Sequence, residues 1–195
     1  MPAAVSAAGT EPIRLMVLGD SLTAGYGLPQ TEAFPVKLEI ALKARGANVK
    51  VINAGVSGDT TSGGRARLGW ALADKPTHVL VELGANDALR GVDPKITREN
   101  LDAIVAELKK AGVKVMIAGM LAPPNWGNDY EKEFRAIFPD LARKHGVPLY
   151  PFFLDGVAAE RSLNQPDGIH PNEAGVAVIV DRITPPVLRW LAEKE

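Results

Sequence analysis

A serine hydroxyl attacks a carbonyl carbon only when a base takes its proton. The base works best when a third group fixes its tautomer and stabilises its charged form. The chain offers three histidines for that role. His78, two residues after Pro76 at the start of an apolar run, reads as a strand-edge residue, and His145, in Lys144-His145-Gly146, as a cation at a helix C-terminus. His170 differs from both, because Asp167 precedes it by three residues across a glycine turn, so a carboxylate can reach the imidazole within one loop. Taken alone, an Asp-x-x-His pair is more often a turn or cap. Of the five serines, Ser6 lies in the N-terminal segment, and Ser57, Ser62 and Ser162 fit turns or caps. Ser21 alone follows an apolar run directly, through Gly19 and Asp20, where a tight turn can lift its hydroxyl above a sheet. A helix N-cap is the other reading of Ser21.

Acyl transfer also needs donors aimed at the oxygen that becomes negative in the tetrahedral state. The backbone N–H groups of Ser21 and Gly55 and the side-chain amide of Asn86 are the candidates. Gly55 would admit a close approach because it has no side chain. Each also has a plainer reading: Gly55 as a turn glycine, Asn86 as a cap or Asx-turn residue.

These residues can act together only if the fold brings their loops to one place. Ile13 to Leu18 is a short apolar run that stops at Gly19, as a buried strand would. Pro35 opens a helical pattern through Val36, Leu38, Ile40, Ala41 and Leu42, closed by Gly46. Val49 to Ile52, Val79 to Leu83, Val113 to Ala118 and Leu149-Tyr150 read as four more strands. Between them the spacing predicts a helix over about 61–73, weakened by Gly63, Gly64 and Gly69. A second is capped by Asp93, starts at Pro94 and carries Ile96, Leu101, Ile104, Val105 and Leu108 on one face. A third runs from about Tyr130 to His145 and should bend at Pro139. A last one, capped by Asn172, should kink at Pro185-Pro186. Strands alternating with helices imply a parallel sheet covered on both faces, a three-layer α/β/α sandwich. In such a sheet ligands bind where loops leave the carboxyl ends of the strands, and the Ser21, Gly55 and Asn86 segments all lie there.

With those positions in view, the chain resembles the SGNH (GDSL) hydrolase family. GDSLTAGYGL at 19–28, Gly55 in NAGVSGDTT, GANDALRG at 84–91 and DGIHPN at 167–172 look like its four blocks, in its order, from Ile13 to about Leu191. The pattern is most similar to the bacterial thioesterase, lysophospholipase and arylesterase branch. The resemblance implies a flavodoxin-like five-stranded parallel sheet, with Ser21 as nucleophile, His170 as base and Asp167 as its orienter. It implies Ser21, Gly55 and Asn86 as the oxyanion hole. Gly19-Asp20-Ser21-Leu22-Thr23 lacks the second glycine of G-x-S-x-G, which separates the chain from the ordinary α/β-hydrolases.

Composition narrows the reading further. A chain of 195 residues suits one domain, placed at 13–195 behind a flexible tail at 1–12. The tail's small residues resemble the end of a signal peptide, so a periplasmic or secreted protein is expected, with a cytoplasmic one as the alternative. With no cysteine, a disulfide scaffold, a thiolate metal site and a cysteine nucleophile are all excluded. Twenty-two basic against 23 acidic residues give a net charge of −1, so no overall field gathers nucleic acid, and no apolar run is long enough to insert in a membrane. No phosphate-binding loop, dinucleotide fingerprint or zinc motif is present, and neither cofactor nor metal is expected. Arg65, Arg67 and Arg90 read as solvated charges, or as partners of an anionic group. The expected partner is a small acyl ester or thioester, in a cleft walled by Leu22, Met120, Leu121 and Trp126. A carbohydrate O-acetylesterase on the same fold, and a binding module without activity, are the competing readings.

Overall fold

The computed structural model describes residues 11–193. The expected tail therefore lies, except for Glu11 and Pro12, outside the described residues. Five parallel strands form one sheet in the order β2-β1-β3-β4-β5: β1 Ile13–Gly19, β2 Val49–Gly55, β3 His78–Glu82, β4 Lys114–Ala118 and β5 Leu149–Tyr150. The chain runs from β1 outward to β2 and then returns across β1 to β3, so the winding reverses between β1 and β3. Loops diverge at such a reversal and leave a crevice, which is where flavodoxin-like sheets bind ligands. Here the reversal is at the paired ends Gly19 and Glu82.

The helices fall into two groups. α2 (Phe34–Ala44) packs with α8 (Glu173–Leu191), while α6 (Pro94–Lys110) packs with α3 (Thr61–Ala66) and α7 (Asn128–His145). β3, at the centre, is buried along its whole length, as a strand covered on both faces must be. Phe34 and Leu38 from α2, Ile104 and Leu108 from α6, Phe134 and Phe138 from α7, and Ile183 and Val187 from α8 close the core around the sheet.

Two local expectations change. The stretch 61–73 is not one helix: α3 stops at Ala66, a short α4 (Leu68–Ala71) follows, and Arg67 stands at the break. Its side chain is drawn to Asp59 and to the carbonyl of Gly19, at 2.6 and 2.9 Å. Ile96 is half exposed, whereas Thr97 and Asn100 are buried on the same helix, because that face meets a buried carboxylate as well as the core. The last helix continues through Pro185 and Pro186 to Leu191, with Thr184 Oγ1 donating to the carbonyl of Val180 at 2.5 Å. α7 likewise contains Pro139.

Candidate active site

β1 ends in Gly19, and Asp20 caps a four-residue helix, α1 (Ser21–Ala24), by accepting the N–H of Leu22 at 3.0 Å. The Ala24 N–H goes to the Asp20 carbonyl. The N–H of Ser21 meets no acceptor among the described residues. Helix starts leave such groups unpaired, and here one of them lies on Ser21 itself.

Ser21 Oγ is 2.9 Å from His170 Nε2, and His170 Nδ1 is 2.6 Å from Asp167 Oδ2. The other Asp167 oxygen accepts the N–H groups of Ile169 and His170, each at 3.0 Å. The backbone bond from His170 leads the set of contacts that lower the Asp167 pKa to about 2, so it stays a carboxylate at any working pH. Gln165 braces this loop: its Nε2 donates to the carbonyls of Tyr26 and Pro171 at 2.7 and 3.0 Å. Tyr26 in turn lays its ring against the imidazole, 4.5 Å between centroids. The other two histidines lie elsewhere. His145 pairs with Asp102 at 2.6 Å, and His78, buried at the far end of β3, has its pKa lowered to about 4 by burial and then by Lys114.

Asn86, in α5 (Ala85–Leu89) after β3, donates one amide hydrogen to Asp20 Oδ2 at 3.0 Å and lines the cleft with the rest of its side chain. Burial raises the Asp20 pKa to about 6, with the Leu22 N–H and the Asn86 amide opposing it. Beneath Asp20 lies a second buried acid, Glu82. It takes a 2.5 Å bond from the Thr23 hydroxyl, its Oε1 has no partner, and burial followed by the nearby Asp20 charge holds its pKa well above the ordinary value.

Gly55 is not placed as expected. It is the last residue of β2, its N–H is given to Asn53 Oδ1 at 3.0 Å, and a Cβ there would stand 2.3 Å from the Ala24 nitrogen. A glycine is needed for packing against α1, and its donor is already occupied. Gly58, three residues on, has φ of 85° and an N–H that meets no acceptor among the described residues. Its turn is held over the end of β1: Val56 N–H and Arg67 both bond the Gly19 carbonyl, and Arg90 bonds the Gly58 carbonyl at 2.9 Å. Arg67 is therefore a loop brace, paired with Asp59, while Arg90 stays exposed and bonds the Gly58 carbonyl from the surface.

A cleft of about 430 Å³ opens from Ser21 and His170. Leu22, Met120 and Leu121 line it as expected, and Leu89, Phe152 and Ile169 join them. Trp126 does not line it. Its Nε1 donates to the Ala88 carbonyl at 2.7 Å, and its ring packs where a Gly91 side chain would be. The contribution of Phe152 was foreshadowed only by an apolar stretch, PFFL, following the shortest strand.

A serine, an imidazole and a carboxylate in a hydrogen-bonded row, beside unpaired N–H donors and an apolar cleft, define a site built for acyl transfer. Residues 17–178 match the GDSL-like lipase/acylhydrolase family. The chain is 40% identical over 188 residues to an arylesterase of Vibrio mimicus, covering 96% of this chain and 94% of that one. It is 40% identical over 181 residues to thioesterase 1/protease 1/lysophospholipase L1 of Escherichia coli K12, covering 92% and 82%. Its fold overlays that of the psychrotrophic esterase EstA from Pseudoalteromonas, solved with monoethylphosphonate as inhibitor, with a TM-score of 0.87 and 35% identity over 92% of this chain and 99% of that one. The chain belongs to the GDSL-like lipase/acylhydrolase family.

Proposed function

We propose that this carboxylic ester hydrolase cleaves acyl and aryl esters or thioesters through an acyl-enzyme on Ser21. His170 Nε2 takes the Ser21 proton as Oγ bonds to the substrate carbonyl carbon. The imidazolium that forms is stabilised by Asp167, which also keeps the proton of the neutral ring on Nδ1. The tetrahedral oxyanion is met by the Ser21 N–H, the second Asn86 amide hydrogen and the Gly58 N–H, the last replacing Gly55. His170 then gives its proton to the leaving alcohol or thiol. A water, deprotonated by the same nitrogen, releases the carboxylic acid and restores the serine.

The observation that carries this reading is the row Asp167–His170–Ser21, at 2.6 and 2.9 Å, opening into an apolar cleft. The lining favours acyl chains or aryl rings over a sugar, which would need more hydrogen-bonding groups than the cleft walls present. We place the enzyme in the periplasm or outside the cell, on the small neutral residues of its first dozen. No helix among the described residues is long and apolar enough to cross a membrane.

A covalent phosphonate probe, with mass mapping of the labelled peptide, tests the assignment. The native protein should be labelled at Ser21, and Ser21→Ala should be unlabelled and inactive across a panel of aryl esters of increasing acyl length. Most of the activity surviving in Ser21→Ala would refute it.

A further inference from the structure

The residue after Asn86 is a buried carboxylate that never reaches the cleft. Asp87 is 1% exposed, and its bonds run to two other helices. Oδ2 accepts the Thr61 N–H at 2.8 Å, and Oδ1 accepts the hydroxyls of Thr61 and Thr97 at 2.6 and 3.1 Å. Thr61 Oγ1 also receives Asn100 Nδ2 at 3.4 Å, and Asn100 Oδ1 receives Arg65 Nη1 at 3.2 Å. One carboxylate thus joins the segment carrying Asn86 to the first residue of α3 and to the buried face of α6.

The segment needs that anchor. α5 has five residues, starts from a left-handed Gly84 and has no side-chain cap, so it has little rigidity of its own. An oxyanion donor, by contrast, must be held to a fraction of an ångström, because about 1 Å of misplacement can cost on the order of 100-fold in rate. A buried carboxylate is costly unless its lone pairs are satisfied, and here both oxygens are bonded. We propose that Asp87 is a positioning residue that sets the place of the Asn86 amide by fixing α5 to α3 and α6. This rests on the reading of Asn86 as an oxyanion donor.

Asp87→Asn replaces an acceptor by an NH2 group facing donors. It should lower kcat on an aryl ester by about 10- to 100-fold with KM little changed, since a ground-state ester does not draw on the amide as the tetrahedral anion does. Thr97→Val, which removes one bond and leaves Thr61 paired, should lower kcat in the same direction by less. The deciding measurement is a double-variant cycle with Asn86→Ala. Once the amide is gone, Asp87→Asn or Thr97→Val should change kcat by no more than about twofold. An unchanged kcat in Asp87→Asn would overturn the proposal, and so would a loss in the Asn86→Ala background as large as in the native one. If Asp87→Asn does not fold, the Thr97→Val cycle decides by the same criterion. Activity surviving in Ser21→Ala would instead strike the functional reading, which separates the two failures.

Discussion

Glu82→Gln should make the stability of the protein less dependent on pH on the alkaline side. Glu82 is fully buried, with one bond from Thr23 Oγ1 at 2.5 Å and a bare Oε1. Burial and then the Asp20 charge raise its pKa well above 4.5. Asp20 ionises first, at about 6, because the Leu22 N–H and the Asn86 amide partly offset its burial. In the unfolded chain the two groups lose their protons near 3.8 and 4.5. Above those values the unfolded state binds fewer protons than the folded one, so stability falls with rising pH until each folded pKa is passed. For Asp20 the window from 3.8 to about 6 corresponds to about 3 kcal/mol, at ~1.4 kcal/mol per pH unit. His78 works in the opposite sense: its pKa is lowered from 6.5 to about 4, so stability is gained as pH rises through that interval. Both contributions are complete by about pH 7, which leaves Glu82 alone among the buried carboxyls with raised pKa values.

For as long as Glu82 keeps its proton, the native protein should lose up to about 1.4 kcal/mol per pH unit, whereas a glutamine has nothing to ionise. The variant amide still accepts the Thr23 hydroxyl, so near pH 5 the two proteins should differ by no more than the ~1–3 kcal/mol of one unmade hydrogen bond. Once Asp20 has ionised, above about pH 6, their unfolding free energies should then diverge in favour of Glu82→Gln for as long as Glu82 keeps its proton, at up to about 1.4 kcal/mol per pH unit. Urea unfolding followed by tryptophan fluorescence at several pH values measures this. A difference that stays constant above pH 6 would mean that Glu82 has lost its proton no later than Asp20, and the account of the buried acids would be wrong.

Gly19→Ala should damage the turn that carries Ser21, because its Cβ would stand 2.1 Å from Thr23 Oγ1 and 2.4 Å from Glu82 Oε2. A loss of about 1–3 kcal/mol in stability, together with a fall in kcat, is expected from such overpacking; a fully active variant of native stability would show that the turn has more room than this. Trp126→Phe removes the bond to the Ala88 carbonyl and should cost about 1 kcal/mol while leaving the acyl-length preference unchanged. A shifted chain-length profile would put Trp126 back among the substrate contacts.

What the sequence makes legible is whatever depends on period or local spacing. The five strands, the Asp93 cap with Pro94 and the Asp167-x-x-His170 loop are all local patterns, and the structure contains each of them. Partners distant along the chain are another matter. Gly55 and Gly58 sit three residues apart in one glycine-rich stretch, and the bond from Gly55 N–H to Asn53, the packing of Gly55 against Ala24 and the positive φ of Gly58 tell them apart. Arg67 looks like any surface arginine until its contacts with Asp59 and the Gly19 carbonyl appear, and those same contacts sit at the break between α3 and α4. Ile96 was expected on the apolar face by period alone. Thr97 is buried nearby because a carboxylate ten positions away needs donors, and Asn100 because it donates to the Thr61 hydroxyl bound to that carboxylate, which no hydrophobic pattern records.

Buried polar groups locate the site independently of any motif. A hydroxyl or carboxyl moved out of water is unfavourable by several kcal/mol unless bonded, so a fold that serves only stability buries few of them. Among the described residues, the buried polar side chains are Asp20, Ser21, Thr23, Thr61, His78, Glu82, Asp87, Thr97, Asn100 and Thr184. All but His78 and Thr184 belong to two hydrogen-bonded clusters at the carboxyl end of the sheet. One runs from Asp20 through the Ser21 turn to Glu82, the other from Asp87 to α3 and α6. Asn86 is the point where they meet, its amide on Asp20 and its backbone joined to Asp87. Its placement therefore depends on both clusters at once, one acting on the amide directly and the other on the short helix that carries it.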